Sequence, residues 1–229
     1  MYEETQKGMC IMNQEKNYVK LEVIIGLFTI EDGDVKILLE KKKDDPYKNY
    51  WMLPSSMIDN SMVLEACADE VIKTRVGLED LFLEQSNVYS DLERVPNDRV
   101  IGVSYMATVD NVTYKLKKNI NKDYELNWFS IDSIPKMAFD HDDILKDLVE
   151  LLKKNMASST FLNKIFALEF TLPELQSVYE QINKKKVDRR NFRKKILSSD
   201  TVELTGNKME GLMGRPANLY RFKSEKNIF

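Results

Sequence analysis

The segment LPSSMIDNSMVLEACADEVIKTRVGL, residues 53–78, has the pattern of a loop, an amphipathic helix and a glycine stop. Residues 56–61 include Ser, Asp and Asn and predict a loop. Apolar residues recur at helical spacing over residues 64–71, and Gly77 follows as it would at a helix C-terminus. This outline suggests the scaffold of a site, yet the usual chemistry is missing from it. The helix face where a site would lie carries Val71, Thr74 and Arg75.

Strand-like segments lie on both sides of this helix. VKLEVIIGLFTI (19–30) is β-rich and apolar, Asp-Gly in EDGD marks a hairpin turn, and VKILLEKK (35–42) returns from it. Further strands are predicted at WMLP, FLEQSNVYS (82–90), RVIGVSYMATV (99–109) and YELNWFSI (124–131), and an amphipathic helix at ILKDLVELLKK (144–154). This order predicts an α/β fold with a mixed sheet and at least two helices.

The C-terminal third changes to short helical segments. KKNMASST (153–160) has no apolar period and predicts a linker, and FLNKIFALEF (161–170) predicts a helix. Thr171 and Glu174 fit a capping box at the start of a second helix, and Asp188 can cap a third, RRNFRKKIL. TVELTG and NLYRFK then predict two strands. Three short helices and a two-stranded hairpin are the element order of a winged helix-turn-helix.

The third helix has the side chains that a DNA recognition helix needs. Phe192 and Ile196, at i and i+4, would anchor it to a small core. Arg and Asn on the other side suit bases in the major groove, flanking cations suit phosphates, and Arg215 in the loop GRPAN suits a minor groove or a phosphate. A solvated cationic helix without a ligand is the alternative. The predicted DNA-binding residues are Thr171, Gln176, Arg189, Arg190, Asn191, Arg193, Lys194, Lys195 and Arg215.

Charge and composition support a partner of this kind. The chain has 229 residues and a net charge of −3, but residues 157–229 hold 14 Lys and Arg against 8 Asp and Glu, a net +6, which leaves −9 for the remainder. A basic C-terminal part favours a polyanion, although a solvated Lys-rich end would give the same count. No apolar run reaches the roughly 20 residues of a membrane span, and no secretory signal precedes residue 19, so we expect a cytoplasmic protein. The two Cys and one His predict neither a disulfide nor a structural zinc site.

Several segments together resemble one family. TLPELQSVYEQI, DRRNFRKKIL and GRPANLYRF resemble the C-terminal winged helix of the Nudix-related transcriptional regulators of the NrtR/AraR type. LPSS with Gly77 and Leu78 resembles the Nudix box of that family, and MAFDHDDIL resembles its Leu-Ala-Phe-Asp-His motif. The resemblance covers about residues 20–223. It implies a Nudix-fold α/β/α sandwich that senses a nucleotide such as ADP-ribose, or a sugar such as arabinose, and a homodimer that binds operator DNA through a winged helix.

The resemblance also implies how the chain divides. We expect an N-terminal tail at 1–18, a Nudix-like sensing domain at 19–154, a linker at 155–160 and a winged helix domain at 161–225. An ungapped superposition on the Nudix box departs from the family pattern at its metal-binding positions. The Arg-Glu pair falls on Glu70-Val71 and the Glu-Glu pair on Thr74-Arg75. Because hard cations need carboxylate oxygens, we expect no metal, no cofactor, no catalytic residue and no hydrolase activity.

A degenerate Nudix box could still belong to a pocket that binds without cutting. Arg75 could then replace the charge of the metal against a phosphate. Arg94 and Arg99 are further phosphate contacts or else surface ion pairs, and Trp51 and Phe139 are aromatic walls or core residues. His141, the single histidine, is a structural residue or a ligand contact. The predicted ligand-binding residues are Trp51, Arg75, Arg94, Arg99, Phe139 and His141.

Two other function classes compete with a regulator. A Nudix hydrolase of ADP-ribose or another nucleoside diphosphate derivative would carry the winged helix as an accessory, but it would favour intact carboxylates at 71, 74 and 75. A protein-interaction module would use the basic helix against an acidic partner. Salt-dependent binding to a specific duplex separates a regulator from such a module.

Overall fold

Within the residues that the structure describes, a mixed sheet of seven strands forms the centre of the N-terminal part of the chain. The computed structural model describes residues 18–112, 114, 123–156, 158–209 and 216–223. The strands are β1 (Lys20–Glu31), β2 (Asp34–Lys41), β3 (Trp51–Met52), β4 (Ser55–Met57), β5 (Leu83–Tyr89), β6 (Val100–Thr108) and β7 (Leu126–Ser130). The order across the sheet is β3-β2-β1-β6-β5, with β4 also paired to β1 and β7 also paired to β2.

The sheet forks along β1. Residues 28–31 of β1 pair antiparallel with β2, and residues 22–24 pair antiparallel with β4. The other edge of β1 is filled by β6, which pairs with it in parallel from Lys20 to Phe28. β2 and β4 therefore pair with separate parts of the same edge of β1, and the sheet divides between them. We call the region between β2, β4 and the end of the helix after β4 the forked cleft.

Five described α-helices complete the fold. Two flank the sheet, and three come after it together with a separate two-stranded hairpin, β8 and β9. The helices and hairpin strands are α1 (Leu64–Val71), α2 (His141–Asn155), α3 (Ser159–Ile165), α4 (Leu172–Asn183), α5 (Arg189–Ser198), β8 (Val202–Met209) and β9 (Ala217–Phe222). The expected order of a mixed α/β fold followed by three helices and a hairpin is confirmed.

Alternation along β1 explains why helices cover both faces of the sheet. Val23, Ile25 and Leu27 belong to the core on the α1 side, and Ile24 and Phe28 belong to the core on the α2 side. Successive side chains of a strand point to opposite faces, so a continuous apolar run requires a packed layer on each side. The result is the α/β/α sandwich that the resemblance implies.

The segment around the degenerate Nudix box differs from its prediction at two points. The predicted loop at 56–61 begins inside β4, because Ser55 to Met57 pair with β1. The helix continues past α1 as a π-helical turn, Ile72–Val76, before it ends. Gly77 closes it with φ of 73°, a left-handed conformation that glycine adopts without steric cost, and its N–H donates to the Lys73 carbonyl at 3.1 Å.

Two of the three C-terminal helices match their predicted bounds, and the first ends earlier than predicted. α4 begins with the predicted capping box, and Asp188 caps α5 by accepting from the Asn191 N–H at 2.9 Å. The helix predicted at 161–170 is wrong in its second half, since α3 ends at Ile165. Phe170 instead forms a β-bridge with Tyr220, with backbone hydrogen bonds of 2.9 and 2.8 Å. Pairing with the hairpin replaces helical hydrogen bonds that periodicity alone predicted.

The C-terminal helices pack directly on the sheet. The core that contains Phe28 of β1 and Ile37 of β2 continues through α2 to Leu175 of α4 and Phe192 of α5. The predicted linker at 155–160 overlaps both neighbouring helices, because α2 ends at Asn155 and α3 starts at Ser159. Among the described residues, no helix is long and apolar enough to span a membrane.

Candidate nucleic-acid interface and effector cleft

α5 presents one apolar side and one cationic side. Phe192 and Ile196 are buried, and the Phe192 ring lies 5.5 Å from the Tyr179 ring of α4. The other side of α5 is open to solvent, as expected for a helix that must enter a groove. Its exposed polar residues are Arg189, Arg190, Asn191, Arg193, Lys194 and Lys195. All six side chains are exposed, as a DNA-facing surface requires, and their contact with bases or phosphates stays a prediction.

Four exposed cations of α5 find no carboxylate among the residues that the structure describes. In the part of the chain that the structure describes, Arg189, Arg190, Arg193 and Lys194 take part in no ion pair. Lysines elsewhere do find carboxylates, as Lys146 does with Asp143 at 2.6 Å. A surface on which positive charge stays unpaired attracts a polyanion over long range. This arrangement favours a nucleic-acid interface over a merely solvated helix.

Thr171 and Gln176 serve the helix-turn-helix itself. Thr171 is buried and caps α4, where its hydroxyl accepts from the Glu174 N–H at 3.3 Å. Gln176 donates to Glu180 Oε1 at 2.8 Å and to the Val187 carbonyl at 3.1 Å, which ties α4 to the turn before α5. Both side chains belong to α4 and its N-cap and lie apart from the exposed cationic side of α5. DNA contact by Thr171 and Gln176 stays a prediction. Arg215 lies outside the described residues.

Glu180 organises the turn between α4 and α5. Its carboxylate accepts from Lys186 Nζ at 2.7 Å and from the Val187 N–H at 3.0 Å. The Lys186 ammonium first, then Gln176 and the Val187 amide, lower the pKa of Glu180 to about 2. The carboxylate is therefore ionised at every pH where the protein would be handled, and the turn geometry does not change with pH there.

At the forked cleft, the three residues predicted to share one helix face separate. Val71 is buried in the core on the α1 side, while Thr74 is exposed and donates to the Glu70 carbonyl at 2.7 Å. Arg75 alone enters the cleft. The prediction assumed a regular helix, but the π-helical turn at Ile72–Val76 adds a residue to the turn and rotates the side chains that come after Val71. The common face is therefore wrong, although the loss of the carboxylates stands.

Arg75 bridges the two sides of the forked cleft. Its Nη2 donates to the Ser55 carbonyl of β4 at 2.9 Å, and its Nη1 lies 3.5 Å from Glu40 Oε1 of β2. The guanidinium also lies over the Tyr124 ring, 3.7 Å from the centroid. Its side chain is only 17% exposed. A cation thus occupies the cleft end of this helix, held by a carbonyl, a carboxylate and an aromatic face.

Glu40 is the carboxylate of this cleft. Burial raises its pKa, and the positive charges of Arg75 and Lys43 oppose that rise without cancelling it. Its Oε2 is buried and has no hydrogen-bond partner among the described residues. An ion pair at 3.5 Å is long for a salt-bridge hydrogen bond, so Arg75 compensates only part of the cost of burying Glu40.

Arg94 lies at the centre of a second, buried network beside the cleft. Its Nε and Nη2 donate to the two Asp140 oxygens at 2.8 and 3.1 Å, and its Nη1 donates to Glu22 Oε2 at 3.1 Å. Glu22 in turn accepts from the Ser55 hydroxyl at 2.8 Å. The side chain of Arg94 is 1% exposed, so the predicted alternative of an ion pair is present, but inside the protein rather than on its surface. Phosphate contact by Arg94 stays a prediction.

The Arg94 network leaves no room for a larger residue at position 102 of the adjacent strand. Gly102 of β6 lies against Arg94, because a Cβ at that position would approach Arg94 Nη2 to 2.9 Å. Since Ser55 donates to Glu22 and its carbonyl accepts from Arg75, β4 connects the Arg94 network to the forked cleft. Arg75 and Arg94 are therefore linked through Ser55 of β4 and Glu22 of β1.

His141 is a buried structural residue at the start of α2. It is 0% exposed, and its Nδ1 accepts from the Leu53 N–H at 2.9 Å, which places its proton on Nε2. Burial lowers the pKa of His141, so the neutral ring is the form in the folded chain. The hydrogen bond fixes the residue that leads into β4. Ligand contact by His141 stays a prediction.

The three remaining predicted ligand-binding residues lie in different surroundings. Trp51 of β3 is half-buried and packs edge-on against Phe129 at 4.7 Å. Phe139 has φ of 55° and lies edge-on to Tyr47 at 4.9 Å, in an open groove that Arg94 also lines. Arg99 Nη1 donates to the Ser90 and Asp91 carbonyls at 3.0 and 3.2 Å. Phe139 and Arg94 therefore line one groove together.

The sequence did not single out Glu40, Glu22, Asp140 or Tyr124. The one available signal was a charged residue inside a predicted strand, as for Glu22 and Glu40, which requires a partner if that position is buried. The structure also places no group of three or more His, Cys, Asp or Glu that could hold a metal, as far as the described residues go.

Known proteins match the chain both as a whole and in its parts. A model of the NrtR DNA-binding winged helix domain matches residues 152–222. The ADPR responsive transcriptional repressor NtrR of Acinetobacter baylyi is 30% identical over 207 residues, covering 88% of this chain and 81% of the repressor. An ADP-ribose pyrophosphatase of Methanocaldococcus jannaschii is 30% identical over 133 residues, covering 58% of this chain and 77% of that enzyme.

A solved structure extends the likeness to both parts of the fold. The crystal structure of Shewanella oneidensis NrtR complexed with a 27mer DNA superposes with a TM-score of 0.70 at 27% identity. The superposition covers 89% of this chain and 93% of that one. Together with the cationic α5 and the degenerate Nudix box, these matches show that the chain belongs to the NrtR family of Nudix-related transcriptional regulators and is a ligand-responsive DNA-binding regulator.

Proposed function

We propose that this regulator binds operator DNA as a homodimer in the cytoplasm and that its effector is ADP-ribose. The observation that carries the proposal is the exposed cationic side of α5, on which Arg189, Arg190, Arg193 and Lys194 form no ion pair with any described residue. The capped α4 and α5 together form the two helices of a helix-turn-helix. Arg and Asn in this position read base edges, and the surrounding cations meet phosphates. We take residues 19–154 as the sensing domain and residues 161–225 as the winged helix domain.

ADP-ribose is preferred to a sugar as the effector because of the relatives. The repressor of Acinetobacter baylyi is described as responsive to ADPR, and the archaeal enzyme acts on ADP-ribose. A diphosphate carries negative charge, and Arg75 supplies a positive charge in the forked cleft. An uncharged pentose has no negative group that could pair with the Arg75 guanidinium.

The same residue supports binding without hydrolysis. Metal-assisted cleavage of a diphosphate needs several carboxylates around one cation. Here the helix that would supply them contributes a buried Val71, an exposed Thr74 and the cation Arg75. Arg75 is paired to Glu40, the nearby carboxylate, so a metal ion at that end of the helix would meet positive charge instead of ligands.

Two adjacent strands provide a route from effector to DNA. β2 and β7 pair along their length, from Lys36 with Ser130 to Glu40 with Leu126. Glu40 contacts Arg75 in the cleft, and about 17 Å away at the other end Val35 and Ser130 are hydrogen-bonded to Gln181 of α4. A ligand that displaced Arg75 from Glu40 would act on these strands and, through α4, on the orientation of α5. Effector binding changes DNA affinity only if it favours one of two such arrangements.

Fluorescence anisotropy with a duplex from the promoter of the gene itself tests the proposal. We expect tighter binding to that duplex than to a random duplex of equal length, at several salt concentrations, and a change in affinity when ADP-ribose is added. L-Arabinose at the same concentration serves as the control. Equal affinity for both duplexes would exclude a sequence-specific regulator, and an effect of arabinose alone would exclude ADP-ribose as the effector.

Hydrolysis of ADP-ribose is the second candidate function, favoured by the similarity to the archaeal pyrophosphatase. Its test is release of AMP from ADP-ribose by the purified protein in the presence of magnesium, with and without Glu70→Gln. We expect no release above background. Magnesium-dependent release that the substitution abolishes would show that the degenerate Nudix box retains activity.

A further inference from the structure

A cleft of about 490 Å³ lies between α5, the first turn of α4 and the β8–β9 hairpin. Leu172 and Pro173 of α4 form one wall, and Arg189 and Arg193 of α5 form another. Lys208 and Asn218 of the hairpin close it. The cleft thus lies beside the exposed side of α5, at the point where the hairpin approaches the helix. Lys208 and Asn218 were not among the predicted DNA contacts.

The charge of this cleft is unusual for the molecule. Arg189, Arg193 and Lys208 line it, and no Asp or Glu does. Three other clefts of the described chain are each lined by four Asp or Glu side chains. The three cations take part in no ion pair within the part of the chain that the structure describes. Three positive charges without a counter-charge attract an anion more strongly than isolated surface lysines do.

Strand pairing places an amide beside one of these charges. Lys208 of β8 and Asn218 of β9 are direct cross-strand partners in the hairpin. Side chains of such partners lie on the same face, with Cβ atoms about 5 Å apart. An ammonium and a carboxamide at that spacing can donate to different oxygens of one tetrahedral anion, while the guanidinium groups of Arg189 and Arg193 approach from the helix.

We propose that this cleft binds a phosphate group of the DNA backbone and that Lys208 and Asn218 are phosphate contacts. The proposal rests on the proposed function, because a duplex must enter along α5 for its backbone to reach the cleft. Contact with a phosphate supplies affinity and register but no sequence information. The hairpin then contributes through its strands as well as through its loop.

Two substitutions test the proposal by anisotropy with the operator and with a random duplex. Lys208→Gln should weaken binding to both by the same factor, about eightfold at 0.1 M salt, and reduce the slope of log affinity against log salt by about 0.9, the value for one phosphate. Asn218→Ala should weaken both equally without changing the slope, because it removes no charge. Lys48→Gln, at an exposed lysine on the N-terminal part, is the control and should change neither quantity.

The outcomes separate this proposal from the function on which it rests. If the unmodified chain binds the operator but Lys208→Gln behaves like Lys48→Gln, the phosphate site is wrong and the regulator stands. If the unmodified chain binds no duplex, both are wrong. Calorimetric titration of the Lys208 variant with ADP-ribose distinguishes a backbone phosphate from a free one. A loss of ADP-ribose affinity with unchanged DNA binding would assign the cleft to a soluble ligand and overturn the proposal.

Discussion

At the residue scale, Arg75 and Glu40 depend on each other. Arg75 is 17% and Glu40 13% exposed, and Glu40 already has one buried oxygen without a described partner. Burial favours the protonated form of Glu40, and Arg75 is the stronger of the two positive charges that oppose this. Arg75 therefore acts as a structural counter-ion in the free protein, and any anionic ligand in the forked cleft competes with Glu40 for it.

Removal of the Arg75 charge should destabilise the chain in a pH-dependent way. Arg75→Gln leaves Glu40 buried without its cation, which raises its pKa further and costs about 1–3 kcal/mol at pH 8. A raised pKa in the folded state lowers stability as pH rises above 4.5, because the unfolded chain loses that proton first. Urea unfolding at pH 5 and pH 8 should show the larger loss at pH 8. The double variant Arg75→Gln with Glu40→Gln should recover part of it, and a loss independent of pH would contradict the pairing.

His141 allows a prediction of the opposite sign. Its pKa is lowered by burial, so the unfolded chain binds a proton near pH 6.5 that the folded chain refuses. Stability should therefore fall as pH falls from 6.5 towards the lowered value, by up to about 1.4 kcal/mol per pH unit. His141→Asn can still accept from the Leu53 N–H through Oδ1 but does not titrate. The difference in unfolding free energy between the two proteins should shrink from pH 7.5 to pH 5.5, and a constant difference would contradict it.

At the scale of elements, α5 has one side that packs against the core and one side that faces solvent. Its buried side holds Phe192 against Tyr179, while Arg190 and Lys195 lie on the exposed surface. The capped N-terminus and the Glu180 turn fix where the helix begins. The register of the cationic side chains relative to α4 is therefore set by hydrogen bonds in the turn and not by the cations.

Two alanine substitutions on α5 should differ in kind. If Arg190 reads a base, as we propose, Arg190→Ala should weaken operator binding by about 1–3 kcal/mol and relax specificity at one position. Lys195→Ala removes a flanking charge and should weaken operator and random duplex alike. Anisotropy on an operator, its single-base variants and a random duplex measures both effects. An equal loss on all duplexes for Arg190→Ala would assign that residue to the backbone.

At the scale of the whole molecule, Gln181 joins the two parts of the fold. Its Oε1 accepts from the Val35 N–H at 2.7 Å, and its Nε2 donates to Asp34 Oδ1 at 2.6 Å and to Ser130 Oγ at 3.1 Å. Gly33, with φ of 74°, lets the β1–β2 turn approach α4, since a Cβ there would lie 3.2 Å from the Glu174 Cα. The C-terminal part thus sits on the ends of the strands that reach the forked cleft.

Gln181→Ala should weaken the response to the effector more than either binding event. The substitution removes the hydrogen bonds that the Gln181 side chain makes to β2 and β7, while the forked cleft and the cationic side of α5 remain intact. We expect the factor by which ADP-ribose changes operator affinity to fall several-fold, with the affinity for ADP-ribose alone nearly unchanged. Gln85→Ala, at an exposed position of the edge strand β5, is the control. An unchanged factor in the Gln181 variant would exclude this junction as the route.

Periodicity and capping signals are enough to predict the element order and the two sides of α5. Phe192 and Ile196 at i and i+4, and Asp188 ahead of the helix, determine by themselves which side of α5 is buried and which is cationic. These are interactions between residues close in sequence, where helical geometry fixes the outcome. The loss of the Nudix-box carboxylates could also be recognised from the sequence, because it depends only on which residues stand at positions 71, 74 and 75.

Only the tertiary structure decided what surrounds these residues. Arg75 meets Glu40 and Ser55 because the sheet forks, and His141 accepts from Leu53, 88 residues away, because the start of α2 lies against the segment between β3 and β4. The π-helical turn that follows Val71 and directs Arg75 toward Glu40 cannot be read from a 3.6-residue period. Long-range pairing and local departures from ideal helices depend on the packing of the whole chain. The sequence alone was therefore enough to identify Arg75 as a cation in the degenerate Nudix box, but its partners Glu40 and Ser55 follow only from the tertiary structure.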